Sequence, residues 1–146
     1  MRYVRLTDMF DPTEYLERLP ELAPDLPAGA RSFATDPDHY DFGGKRCVKD
    51  LALRGLAFDG TGLVVEFRHN CWKHEEDLTV RYGDVRSLAV DLPEATPTMP
   101  HAVTLDEILP DAAGCRHEIA MHTGSLVVTC RDLTATWTEA DCPEKS

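Results

Sequence analysis

Glutamine is absent from the chain, and asparagine and isoleucine are scarce. Together with an excess of Arg over Lys, this bias resembles proteins encoded by GC-rich bacterial genomes. More consequential absences concern chemistry. No Cys-x-x-Cys pair occurs, so zinc ribbons and thioredoxin-type redox motifs are excluded. No motif for catalysis or phosphate binding interrupts the sequence, and no cofactor is expected. No apolar run approaches the roughly 20 residues of a membrane span. Met1 to Asp8 lacks a following apolar stretch, so neither a membrane nor a secretory signal is expected. Basic charge is also short: 15 Lys and Arg stand against 26 Asp and Glu, a net charge of −11. That balance repels a phosphate backbone and excludes nucleic acid as a natural ligand. It suits a basic protein partner or a cationic ligand, although acidity also serves plain solubility.

The cysteines are odd in number and scattered: Cys47, Cys71, Cys115, Cys130 and Cys142. Reduced thiols in a cytoplasmic protein are the simplest reading, with no disulfide expected.

What is present changes texture near Cys47. The expectation is a single domain over 1–146, with an N-terminal arm (1–46), a β core (47–138) and a loose tail (139–146). In the arm, Asp11 to Leu19 predicts one short helix. Asp11 suits the cap, Pro12 the first helical position and Glu14 the first turn. Pro20, Pro24 and Pro27 are expected to stop it. Tyr15, Phe33, Tyr40 and Phe42 are expected to anchor the arm on the core.

Beyond Cys47 an alternation of period two predicts half-buried strands. Leu51 and Leu53 share one phase and Leu56 and Phe58 the other, so a bulge is expected at Arg54-Gly55. Asp59-Gly60 is a hairpin signal. Leu63, Val65 and Phe67 alternate, as do Leu78, Val80 and Tyr82. Gly83-Asp84 reads as a turn before Leu88, Val90 and Leu92. A loop is expected from Pro93 to Pro100. Thr104 to Glu107 allows a helix capping box, but Pro110 favours a strand. Ile119 and Met121, then Leu126 and Val128, then Leu133, Ala135 and Trp137 complete the pattern. The fold expected is mainly β, an antiparallel β-sandwich or strongly curved sheet or barrel of about seven or eight strands, with one short N-terminal helix.

Strand phase directs candidate chemistry. Extending the Leu63–Phe67 alternation points His69 and Cys71 inward. His117 follows Ile119, and Cys130 follows Val128. His69, Cys71, His117 and Cys130 would make a tetrahedral zinc set by type, though not by spacing. The plainer reading is buried thiols and hydrogen-bonded core histidines. His69, Cys71 and His117 are likewise the residues an enzymatic cavity would use. The segment His69 to His74 reads more simply as a hairpin tip carrying Trp72 and Lys73, because Trp is over-represented among interface anchors. Glu75, Glu76 and Asp77 extend that tip with acidic charge, and Asp84, Asp91 and Glu94 add to it. Asp36, Asp38, His39 and Asp41 resemble a cation-binding loop, but Pro37, Tyr40 and Asp41 break the EF-hand pattern, and Asp38 and Asp41 are expected to make turn bonds.

In size, acidity and lack of motifs the chain resembles the small immunity proteins that neutralise bacterial toxins. The resemblance is one of class and rests on no specific motif. It implies a cytoplasmic, non-enzymatic binding protein whose basic partner is met at Trp72, Lys73, Glu75, Glu76 and Asp77. The alternative is a small-molecule-binding barrel or enzyme with an interior His/Cys cavity.

Overall fold

The period-two runs become six antiparallel strands: β1 (Ala52–Asp59), β2 (Gly62–Arg68), β3 (Glu76–Asp91), β4 (Val103–Asp111), β5 (Gly114–Met121) and β6 (Gly124–Glu139). The computed structural model describes residues 1–6, 10–94 and 101–142. The strands form one open sheet in the order β1-β2-β3-β6-β5-β4. It is neither a sandwich nor a closed barrel, which corrects the finer expectation. Most of the loop expected from Pro93 to Pro100 lies outside the described residues.

Six strands replace the expected seven or eight because two of them are long. Gly83-Asp84 is not a turn. Asp84 takes a positive φ of 55° and the chain stays extended. A register slip between Val85 and Ser87 then absorbs the phase change as a bulge. The shorter runs at Leu126 and Leu133 merge likewise into β6. β3 and β6 pair from Glu76↔Glu139 to Asp91↔Ser125 and form the spine of the sheet. The slip expected at Arg54-Gly55 is present in β1, and Gly60 turns the first hairpin at a φ of 60°.

Two helices, rather than one, pack on the sheet: α1 (Thr13–Leu22) and α2 (Ala28–Ala34). Pro20 does not stop α1. Its ring lies on the exposed side, where water can take the carbonyl that its missing N–H leaves unbonded. The second helix carries no signal of its own. Its N-terminus is capped from the sheet, where Asp132 accepts the Gly29 N–H at 3.1 Å and the Ala30 N–H at 2.9 Å. A side chain at Gly29 would collide with the Leu133 carbonyl, so only glycine allows this approach. Tyr15 and Phe33 are buried, and Tyr40 and Phe42 pack at the margin of the same apolar cluster as Leu63, Val65, Phe67, Leu78, Val80 and Leu126.

Among these buried side chains lies a carboxylate. Asp106 on β4 is 1% exposed. His39 Nε2 donates to it at 2.8 Å and 2.9 Å, and His117 Nε2 donates at 2.7 Å. His39 Nδ1 donates to the Phe33 carbonyl, and His117 Nδ1 accepts from the Tyr82 hydroxyl. The next residue, Glu107, faces the other way and accepts the backbone N–H groups of Arg2, Tyr3 and Val4. Tyr15 and Tyr40 donate their hydroxyls to the Ile108 and Asp106 carbonyls. The outer strand β4 is thereby covered by the arm on both faces, and its edge is protected from pairing with other chains.

Burial is the largest influence on Asp106 and opposes its ionisation. The His39 charge and the bonds from His117 and His39 outweigh it, so the carboxyl lies well below its ordinary value of 3.8. Burial likewise lowers His39, but the Asp106 charge, the Asp106 bond and the Phe33 carbonyl prevail and raise it above 6.5. Asp106 therefore contributes stability above its unfolded value that is lost as pH falls through its folded value. The His39 contribution is complete below its unfolded value and is lost as pH rises through its folded value. Urea midpoints should accordingly decline on both sides of the weakly acidic range. Asp106→Asn should cost about 3–5 kcal/mol, because it strands a buried imidazolium, and should flatten both limbs. Midpoints that keep the wild-type pH profile in this variant would contradict the assignment.

The helix cap yields a second expectation. Asp132→Ala should cost about 1–2 kcal/mol in the same denaturation assay, as other cap removals do. Gly29→Ala should cost more, since the added methyl meets backbone. A neutral Gly29→Ala would show that α2 sits farther from β6.

Candidate functional site

The turn between β2 and β3 gathers most of the residues the sequence singled out. β2 ends at Arg68, so His69 and Cys71 lie in the turn and not on the strand, yet both are buried. Asn70 organises the turn. Its carbonyl accepts the N–H groups of Lys73 and His74, and its side-chain oxygen accepts the Trp72 N–H. His74 closes it, taking the Asn70 N–H on Nδ1 and donating from Nε2 to the Cys47 carbonyl. Burial first, then the nearby Lys73 charge, lower the His74 pKa against the pull of the Cys47 carbonyl. Lys73 binds Asp50 at 3.0 Å. With its backbone N–H held by Asn70, Trp72 projects outward, 78% exposed.

His69 is tied to β3. Asp77 Oδ1 accepts both the His69 backbone N–H at 2.8 Å and Nδ1–H at 2.7 Å. Burial raises the Asp77 pKa, but the two His69 bonds and Arg54 outweigh it and leave it lowered. The acidic candidates Glu75 and Glu76 are salt-bridged: Lys45 meets Glu75 at 2.9 Å and Arg46 meets Glu76 at 2.6 Å. Glu75, Glu76 and Glu139 line a surface groove of about 450 Å³ together with His74, Ala140 and Cys142. Glu76 and Glu139 are direct partners across β3 and β6.

The four-residue set His69, Cys71, His117 and Cys130 is not assembled. His117 is 1% exposed, and both its nitrogens are taken by Tyr82 and Asp106. Cys130 lies opposite Cys115 on β5, with the sulfurs 3.6 Å apart. The His39–Asp106–His117–Tyr82 chain has the connectivity of a proton relay, but it is buried end to end and holds the fold. Of the expected tail, residues 143–146 lie outside the described residues, whereas Ala140 donates to the Glu75 carbonyl. Cys142 is joined to Cys71 in a disulfide with a Cα separation of 5.6 Å, which corrects the expectation of five free thiols. Cys142 and Glu139 read as parts of a scattered thiol set and a loose tail in the sequence, because their neighbours Cys71 and Glu76 lie far away along the chain and only strand pairing brings them together. Asp106 left a trace, since an acid between Leu105 and Ile108 sits at a core position.

No protein-family model matches this chain, and no curated protein matches it.

Under denaturing, non-reducing conditions, thiol titration should find Cys47, Cys115 and Cys130 free and Cys71 and Cys142 blocked. Five free thiols in oxidised protein would remove the crosslink. The bond closes a sequence separation of 71 residues, and reduction should lower stability by about 4 kcal/mol on the chain-entropy relation.

Proposed function

We propose that the protein is a small acidic binding protein, of the immunity type in size and charge, that holds a basic protein partner through Trp72 and the acid-lined groove beside it. One observation carries this reading. Glu76 and Glu139 oppose each other directly across neighbouring strands, and Glu75 joins them on the groove wall. Like charges in that position destabilise a sheet, by a few tenths of a kcal/mol up to about 1 kcal/mol. A cation seated in the groove relieves the repulsion. Lys45 and Arg46 supply part of that now: the exposed Lys45–Glu75 pair is worth little, whereas Arg46 holds both oxygens of Glu76. A partner's Lys or Arg would enter the groove while its neighbouring surface packs on the indole of Trp72, which also attracts cations through its ring face. The same reading places the protein in the cytoplasm, where Cys47, Cys115 and Cys130 stay thiols and the Cys71–Cys142 bond is open to reduction.

The test is a comparison of Lys-rich and Glu-rich polypeptides of equal length, with binding followed at low and physiological salt. The basic polypeptide should bind and the acidic one should not. Affinity should fall steeply with salt, because screening sets in over about 8 Å at physiological ionic strength. Replacing Glu75, Glu76 and Glu139 together by Gln should remove most of the salt dependence. Trp72→Ala should chiefly speed dissociation, by about 2 kcal/mol if the indole is an anchor. Equal binding of both polypeptides, or indifference to salt and to Trp72→Ala, would defeat the proposal.

A further inference from the structure

Behind the Trp72 turn lies a second arrangement, independent of the partner reading. The ligand atoms of His69, Cys71 and Cys142 all lie within 4.8 Å of one another. His69 Nε2 is buried and has no hydrogen-bond partner among the described residues, and the residue as a whole is only 7% exposed. Almost every buried polar atom finds a partner, so an orphaned imidazole nitrogen needs a cause. We propose that His69 Nε2, Cys71 Sγ and Cys142 Sγ form a zinc site in the reduced protein, with a fourth position open to solvent or an incoming ligand.

The tautomer supports the assignment. Asp77 accepts Nδ1–H at 2.7 Å, which leaves the lone pair on Nε2 for a metal. A carboxylate behind a histidine is the usual outer support of a zinc ligand, fixing its ring and raising its basicity. Arg54 in turn holds the second Asp77 oxygen at 3.2 Å. Two sulfurs and one nitrogen are a borderline-soft donor set that suits zinc and does not suit calcium or magnesium. Tetrahedral zinc with these donors places them about 3.5–3.8 Å apart. The Cα separation of 5.6 Å between Cys71 and Cys142 serves a chelating pair as well as a disulfide. His74 is not a fourth donor, since Asn70 and the Cys47 carbonyl occupy both its nitrogens.

The disulfide and the zinc site are alternative states of one sulfur pair. Passing from the first to the second takes two electrons and two protons into the S–S bond. A cellular dithiol supplies both and is itself oxidised to its disulfide. Zinc then binds the two sulfurs as thiolates and releases their protons to solvent. The two thiolates balance the charge of the ion, so the neighbouring groove stays acidic in either state. In both, the end of β6 is fastened to the turn that presents Trp72.

The experiment uses the full chain, reduced with a phosphine under anaerobic conditions, freed of metal by a chelator and then titrated with cobalt(II). One equivalent should bring visible ligand-field bands and near-ultraviolet thiolate-to-cobalt charge transfer, and zinc should abolish both. Cys142→Ser should weaken the charge-transfer band and the affinity. His69→Gln should keep thiolate bands but bind more weakly, and Asp77→Asn should lose about 10–100-fold in affinity, as an outer-support residue does. Cys115→Ser should bind as wild type. A folded reduced protein without these bands would overturn the site. So would bands of undiminished intensity and affinity in Cys142→Ser, or bands that vanish with Cys115→Ser. A reduced chain that unfolds and is not refolded by one equivalent of zinc would overturn it equally.

Discussion

The structure depends on one buried carboxylate. Asp106 lies at the middle of the outer strand β4, and the groups that satisfy it come from opposite ends of the chain's path. His39 reaches it from the segment after α2, and His117 from β5. A charge taken out of water is tolerable only with close counter-charge and full hydrogen bonding. The arm therefore cannot leave the sheet without stranding either Asp106 or His39. Glu107 extends the constraint to the opposite face by holding three consecutive backbone N–H groups near the N-terminus. Hydrophobic burial supplies most of the driving force for the fold. These two acids decide which arrangement of arm and sheet it drives.

That constraint separates the chemistry of the protein into two places. The His39–Asp106–His117–Tyr82 chain contains the residue types of an active site, but its members are closed off from any substrate. The corner where β2 ends, β3 begins and β6 finishes is different. There an exposed indole, opposed carboxylates and an unpartnered imidazole nitrogen lie close in sequence or in space. Each is unfavourable by itself in water or in an apolar interior. Their concentration at one corner is the physical ground on which function is proposed there.

Much of the fold was legible because period-two patterning survives any tertiary arrangement. The bulge at Arg54-Gly55 and the turn at Gly60 follow from local phase and turn chemistry, and the strand at Leu105 from the little room Pro110 leaves a helix. Gly83-Asp84 misled for a local reason as well. The same dipeptide serves a turn or a bulge, and only the pairing of β3 with β6 along their whole length selects the bulge. Helix α2 left no trace, because its cap is Asp132, about a hundred residues away, and no window of sequence contains both.

For the site, the sequence alone marked the Trp72 turn, its acidic flank and the inward bias of His69 and Cys71. It could not choose among donors that share a phase. His117 and Cys130 have the same inward direction as His69 and Cys71, but direction says nothing of which strands become neighbours. The sheet order places His117 beside Tyr82 and Asp106, and it carries the end of β6 back to the β2–β3 turn, where Cys142 meets Cys71. Phase is a local property, set by which way each Cβ points along a strand. Proximity is a property of strand order and register, which the packing of the whole chain decides.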